Sequence, residues 1–282
     1  DNRNVLAESA RIARGNGHTK VLCQIDNVEP HEHHLTDKPF NRYYLHSVDG
    51  FVYMSEQVHS ELRAYSDAPA LFSPHPLFEN FGERVERSEA CVRLGLDPAN
   101  RYVLFFGLIR DYKGLDLLLD AWAQLRRAGR TEGRRLIVAG EFYTAREPYL
   151  NRIADNGLQD EVLLHDRFIP DDDVKYYFSA ADFVVQPYKT ATQSGVTQIA
   201  YQFCVPMVVT KVGGLAEIVP DGRVGYVCEP TPEGVAGAIE RMYEGDTLQR
   251  FRENCVEERR RFSWEEMCSR ITELYGLVAS GK

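Results

Sequence analysis

Residues 102–127 read YVLFFGLIRDYKGLDLLLDAWAQLRR. The first five are all apolar and end at Gly107. A short, wholly apolar run bounded by glycine fits a strand buried on both faces. From residue 115 the apolar positions recur at helical spacing, which predicts an amphipathic helix over 115–127. The same alternation continues down the chain. Strands are expected at 135–139 (RLIVA), 162–165, 183–186, 207–210 and 224–227. Helices are expected at 147–156, 173–181, 195–203 and 232–243, the last with Pro232 in its first turn, where a missing N–H costs nothing. Strands alternating with helices at this spacing imply βαβ units, a parallel sheet and an α/β doubly wound domain.

Upstream the pattern thins. A helix at 5–13, strands at 20–25, 51–55 and 70–73, and a helix at 56–64 suggest a three-stranded sheet with little area to cover its two faces. A polar stretch at 79–88 reads as a linker. Near the other end, Ser263 and Glu266 form a capping box at the start of an amphipathic helix over 263–278. The expected division is 1–85, a partial N-terminal domain; 86–262, a second α/β domain; and 263–282, a terminal helix.

Composition narrows the class. Hydrophobic residues make up 44% and charged residues 27% of 282, enough for a large core. The net charge of −9 argues against nucleic acid as a partner, because such binding needs a basic face. Six cysteines without a CxxC pair read as reduced core thiols of a cytoplasmic protein. No apolar run reaches the length of a membrane span.

Three strand tips carry candidate chemistry. After the first strand comes Gly107-Leu-Ile-Arg110-Asp-Tyr-Lys113-Gly114. Ligands of open α/β sheets bind beyond the carboxyl ends of the strands, and an arginine fork with a lysine point charge there suits a diphosphate. The motif lacks the lysine-serine or lysine-threonine ending of a nucleotide P-loop, and it is no GxGxxG fingerprint. A solvated loop with two surface charges is the plain alternative. After the strand at 183–186, Gln193, Ser194, Gly195 and Val196 open a helix whose free amides and positive end form an anion site. Ser194 as a simple N-cap is the competing reading. After the strand at 207–210, Gly213-Gly214 allows close approach of a ligand, and Glu217 suits hydroxyl groups of a sugar or ribose.

These segments resemble the retaining GT-B glycosyltransferases, especially family 4, which includes many enzymes of polysaccharide and lipid-glycan synthesis. The resemblance is carried by VLFFGLIRDYKGLDLLLDAW, LIVAGEFY, DRFIPDDDVKYYFSAADFVVQPY, SGVTQIAYQFCVPMVVTKVGGLAEIV and GYVCEPTPEGVAGAI. DNVEPHE, VDGFVYMSE, SPHPLF and FSWEEM extend it over nearly the whole chain. It implies two Rossmann-like domains, roughly the first third of the N-terminal one lying outside this chain, and a final helix returning to that domain. It implies a nucleotide diphosphate sugar as donor, a glycan or lipid-linked hydroxyl as acceptor entering between domains, and no metal or other cofactor. Arg110 and Lys113 match the cations on the diphosphate, Ser194, Gly195 and Val196 the helix amides, and Phe168 and Ile169 the wall of the base. Glu217 lies near the sugar-facing glycines. His31 and Glu32 match residues facing the cleft, and with Arg110 and Lys113 make up the expected catalytic set.

The chain departs from the family at three positions. Two acids spaced across the second helix are usual, and here those places hold Ala191 and Ile199, with Gln193 and Gln198 as neutral substitutes. In the DNVEPHE segment Asp26 stands where a histidine is common. Asp171-Asp-Asp173 imitates a metal-binding DxD but reads better as N-capping of the helix after it, and His31-Glu-His-His34 lacks the spacing of a metal site. Two other functions fit the pattern: a sugar-nucleotide epimerase of the same fold, and a donor-binding module without catalysis. This chain alone is expected to be weakly active. A homodimer covering the small sheet and peripheral association with a membrane are further expectations.

Overall fold

The computed structural model describes residues 3–28, 37–191 and 194–280. The chain divides into two units, 1–76 with 261–282, and 77–260.

In the first unit, α1 (Arg3–Arg14), β1 (Leu22–Ile25), α2 (Asp37–Leu45), β2 (Gly50–Tyr53), α3 (Glu56–Arg63) and β3 (Ala70–Phe72) build a parallel sheet of order β1-β2-β3. One face carries Phe51, Tyr53, Val58, Leu62 and Leu45. The other is covered by the terminal helix, numbered α12 (Trp264–Ser280), through Val52, Met54, Met267 and Leu274. That helix lies so close that a Cβ on Gly50 would sit 2.8 Å from Val278 Cγ2. Ser263 caps it, accepting from Glu266 N at 3.1 Å. Ser263→Ala should lower unfolding free energy by about 1 kcal/mol. Urea denaturation reads this directly, and an unchanged midpoint would show that the cap adds nothing.

The second unit holds α4 (Arg87–Leu94), β4 (Arg101–Phe106), α5 (Leu115–Arg127), β5 (Arg134–Ala139), α6 (Glu147–Asp155), β6 (Val162–His165), α7 (Asp171–Ala180), β7 (Phe183–Gln186), α8 (Gly195–Gln202), β8 (Met207–Thr210), α9 (Leu215–Ile218), β9 (Gly225–Cys228), α10 (Pro232–Met242) and α11 (Thr247–Glu258). Six parallel strands lie in the order β6-β5-β4-β7-β8-β9. The sheet core is fully buried at Val103, Leu104, Ile137, Val138, Phe183 and Val184, as strands covered on both faces require. Trp122, also fully buried, donates its indole N–H to Glu161 Oε2 at 2.8 Å.

Four expectations change. The stretch 79–88 is tied down rather than a linker. It forms a 3-10 turn at Glu79–Phe81 and the start of α4, with Asn80 donating to Asp171 and Val85 N donating to the Ser179 hydroxyl. The first unit accordingly ends at Pro76, and the second at Arg260. Asp171–Asp173 do not cap α7: Pro170 is the N-cap, and the three aspartates fill the first turn, where the helix dipole favours them. Of the six cysteines, only Cys91 and Cys255 are buried; Cys268 is exposed, and all six are free thiols. Finally, α2, α4 and α11 were not read from the sequence. Among the described residues no helix is long and apolar enough to cross a membrane.

Candidate functional site

The chain leaves β4 for one side of the sheet, through β5 and β6, and then returns to build β7, β8 and β9 on the other. The connections therefore diverge between β4 and β7, which opens a crevice beyond their carboxyl ends. Two loops line it. The β4–α5 loop is fixed from below: Gly114 has φ of 70°, and a Cβ there would lie 1.9 Å from Pro187 O. Lys189 N donates to Tyr112 O at 2.7 Å, and the Lys189 ammonium pairs with Asp116 at 2.7 Å. The loop carrying Lys113 is thus locked onto the segment following β7.

Lys113, Gly107 and α8 meet at this crevice. A Cβ on Gly107, whose φ is +95°, would stand 3.1 Å from Lys113 Nζ and 3.6 Å from Val196 Cγ2. Ser194 is the N-cap of α8 by backbone position, yet its side chain makes no capping bond. Its hydroxyl instead meets the Tyr188 hydroxyl at 3.0 Å. The first-turn amides of Gly195 and Val196, which no helix satisfies internally, make no backbone hydrogen bond among the described residues.

Among the described residues, no carboxylate lies within ion-pair distance of Lys113 or Arg110. Aromatic faces are their neighbours: Tyr188 at 5.8 Å from Lys113 and Tyr143 at 5.3 Å from Arg110. The nearby Asp111 is engaged elsewhere, accepting from Thr144 and Tyr149. Burial, and then repulsion by Arg110, bring Lys113 down to about 8. A half-buried cation held beside another without an acid is stabilised by a bound anion.

This fixes a pH dependence. A diphosphate favours protonated Lys113, so affinity should be flat below pH 8 and fall above it, approaching about tenfold per pH unit. Without ligand the sign reverses. The folded state holds fewer protons than the unfolded one between about 8 and the ordinary lysine value of 10.5, so stability should rise with pH across that window. Titrations from pH 7 to about 9.5 test this; Lys113→Arg, always charged, should abolish the fall, and a flat wild-type profile would contradict it.

Beside the crevice, a pocket of about 190 Å³ is lined by Phe81, Phe106, Gly107, Leu108, Gly140, Glu141, Phe168, Ile169, Asp171 and Val174. Phe168 and Ile169, following β6, thus share one pocket with Gly107. Gly214 and Glu217 stand at the β8 tip, with Gly214 as the N-cap of the short α9 and Glu217 exposed. Gln198 is 1% exposed, and its Oε1 is buried without a partner among the described residues. Ile199 is buried as well, as an apolar residue on that helix should be. His31, Glu32 and Gln193 lie outside the described residues. Among the described residues no cluster of histidine, cysteine and acidic groups could hold a metal ion. Sequence reasoning missed Tyr188, Phe81 and Glu141, although Glu141 follows the strand RLIVAG at the position where α/β sheets place ligand contacts.

Residues 100–245, just over half of the chain, match the family model described as Glycosyl transferases group 1, and the chain belongs to that family. It is 31% identical over 245 residues to D-inositol 3-phosphate glycosyltransferase 2 of Catenulispora acidiphila, covering 81% of this chain and 56% of that protein. A D-inositol 3-phosphate glycosyltransferase of Pseudarthrobacter chlorophenolicus is 31% identical over 144 residues, which is 51% of this chain and 34% of the relative. The chain spans about half the length of the curated relatives it matches. Among solved structures it resembles sucrose-phosphate synthase from Thermosynechococcus elongatus, with TM-score 0.77 and 20% identity, over 98% of this chain and 72% of that one. It also resembles Anabaena HepE in complex with UDP and glucose, with TM-score 0.73 and 18% identity, over 97% and 76%. These likenesses bear out the fold class read from the sequence, GT-B with parallel sheets in two Rossmann-like units.

Proposed function

We propose that this chain is the donor-holding part of an enzyme that moves a sugar from a nucleotide diphosphate sugar to an acceptor hydroxyl, with retention at the anomeric carbon. The observation that carries the reading is the pair Lys113 and Arg110, without an ion-pair partner among the described residues, beside the N-terminus of α8, at the point where the sheet connections diverge. When the bond between sugar and diphosphate breaks, negative charge builds on the diphosphate. Two fixed cations and two oriented amides stabilise that charge without reorganising. The pocket at Phe168 and Ile169 gives the base an apolar wall. The names of the relatives support the class, and HepE with UDP and glucose supports the donor chemistry.

The acceptor side is proposed to involve His31 and Glu32, with a glycan or lipid-linked hydroxyl as acceptor. The protein is read as cytoplasmic, with peripheral membrane contact and a homodimer as further proposals; the fixed cations fill the role of a metal in this reading. The test is an assay of this chain, and of any longer form, for sugar transfer and for release of nucleoside diphosphate from a panel of nucleotide sugars. Transfer lost in Lys113→Ala supports the reading. Undiminished turnover in Lys113→Ala and Arg110→Ala together would remove it.

A further inference from the structure

We infer that Glu141 hydrogen-bonds the ribose hydroxyls of the bound nucleotide, which makes the site selective for ribonucleotides. The inference rests on the donor reading above and goes further, to the sugar of the nucleotide itself. The first support is the order of the strand tips. The diphosphate groups are placed at the tips of β4 and β7 by Gly107, Lys113 and α8, and the apolar wall at Phe168 and Ile169 follows β6. The β5 tip lies between them. Adjacent strands are about 4.8 Å apart, so the run from β4 to β6 is about 10 Å, the reach of one ribose with its two linkages. A nucleotide with phosphate over β4 and base over β6 therefore sets its ribose over β5, where Glu141 follows the strand.

The second support is how firmly Glu141 is held. Pairing between β4 and β5 continues past the strands: Ile109 N donates to Glu141 O at 2.7 Å, and Tyr143 N donates to Ile109 O at 2.9 Å. The next side chain, Phe142, packs onto the hydrophobic core and against the Tyr149 ring at 5.5 Å. Glu141 itself lines the pocket with Gly107 and Phe168.

The third support is chemical. Glu141 makes no side-chain hydrogen bond or ion pair with any described residue. The pocket's other carboxylate, Asp171, accepts from Asn80 at 3.2 Å. An ionised carboxylate only accepts, and its two oxygens match a pair of adjacent hydroxyl donors. It repels phosphate, so it belongs beside the ribose rather than the diphosphate. The first turn of α8 carries no acid that would do this instead. Dinucleotide-binding sheets with the same strand order solve the problem alike, with an acid after the second strand on the ribose.

The experiment is calorimetric titration with UDP, GDP and ADP, and with the 2′,3′-dideoxy form of each one that binds. The wild type should prefer the ribose form by about tenfold or more, as hydrogen bonds to a charged group do. Glu141→Ala should bring that ratio near one by weakening the ribose form alone, and Glu141→Gln should fall between, with melting temperatures unchanged. Equal binding of both forms by the wild type would overturn the inference, as would a Glu141→Ala that weakens both equally. In either case the donor reading stands. If none of the diphosphates binds, both readings fall.

Discussion

Gly114→Ala should destabilise the second unit by about 2–4 kcal/mol, the sum of left-handed strain and a backbone clash. At φ of 70° an alanine is strained wherever it stands. Here a Cβ would also lie 1.9 Å from the Pro187 carbonyl oxygen, a backbone atom that cannot swing aside. Gly129 is the control. It shares the φ of 70°, yet nothing lies within 4 Å of its would-be Cβ. Gly129→Ala should therefore cost only about 1–2 kcal/mol, the strain alone. Denaturant midpoints of the two variants separate strain from clash. Equal losses would mean that the β4–α5 loop does not rest tightly on the segment after β7. A larger loss for Gly114→Ala should come with weaker nucleotide binding, because the same contact holds Lys113 at the crevice.

Much of the second unit was legible because its strands are short apolar runs ended by glycine or polar residues. The helix at 115–127 and the strands at 162–165, 183–186 and 207–210 have the limits expected of them. Elsewhere the signal was local and weak. In the segment Arg87–Leu94 only Ala90 and Cys91 are buried while Val92 is exposed, and the helix owes its place to packing of those two and to a left-handed Gly95 at its end. Helix α11 buries only Thr247, Phe251 and Cys255, too sparse a stripe to stand out. Asp171–Asp173 misled because aspartate suits both the cap and the first turn, and only backbone angles distinguish the two.

The site divided in the same way. Gly107, Arg110, Lys113 and the start of α8 stand out in the sequence because charge and glycine at a strand tip signal a ligand in one dimension, and the structure brings Gly107, Lys113 and α8 together. Glu141 was passed over because a single glutamate after a strand carries no such pattern. Its meaning comes from the strand order, which places β5 between β4 and β6. Gln198, read as a neutral substitute for an acid, is buried on α8 with its Oε1 unpartnered among the described residues, a feature the sequence pattern does not reveal.

Replacing Lys113 or Arg110 by alanine should each weaken nucleoside diphosphate binding by about 1.5–3 kcal/mol, the range for hydrogen bonds to a charged group. Lys113 should show the larger loss. Its ammonium is half-buried against Gly107 and Tyr188, whereas Arg110 is exposed and better screened. Neither residue supports the fold through an ion pair with a described acid, so unliganded stability should be kept. Lys113→Ala should even gain slightly, by removing a cation held against Arg110. The most direct measurement is the melting of wild type and Lys113→Ala with and without nucleoside diphosphates. At one hundred times its dissociation constant, a bound diphosphate should stabilise the wild type by about 2.7 kcal/mol, and the same concentration should stabilise Lys113→Ala far less. No shift in the wild type with any nucleoside diphosphate at millimolar concentration, or an equal shift in both proteins, would contradict the account.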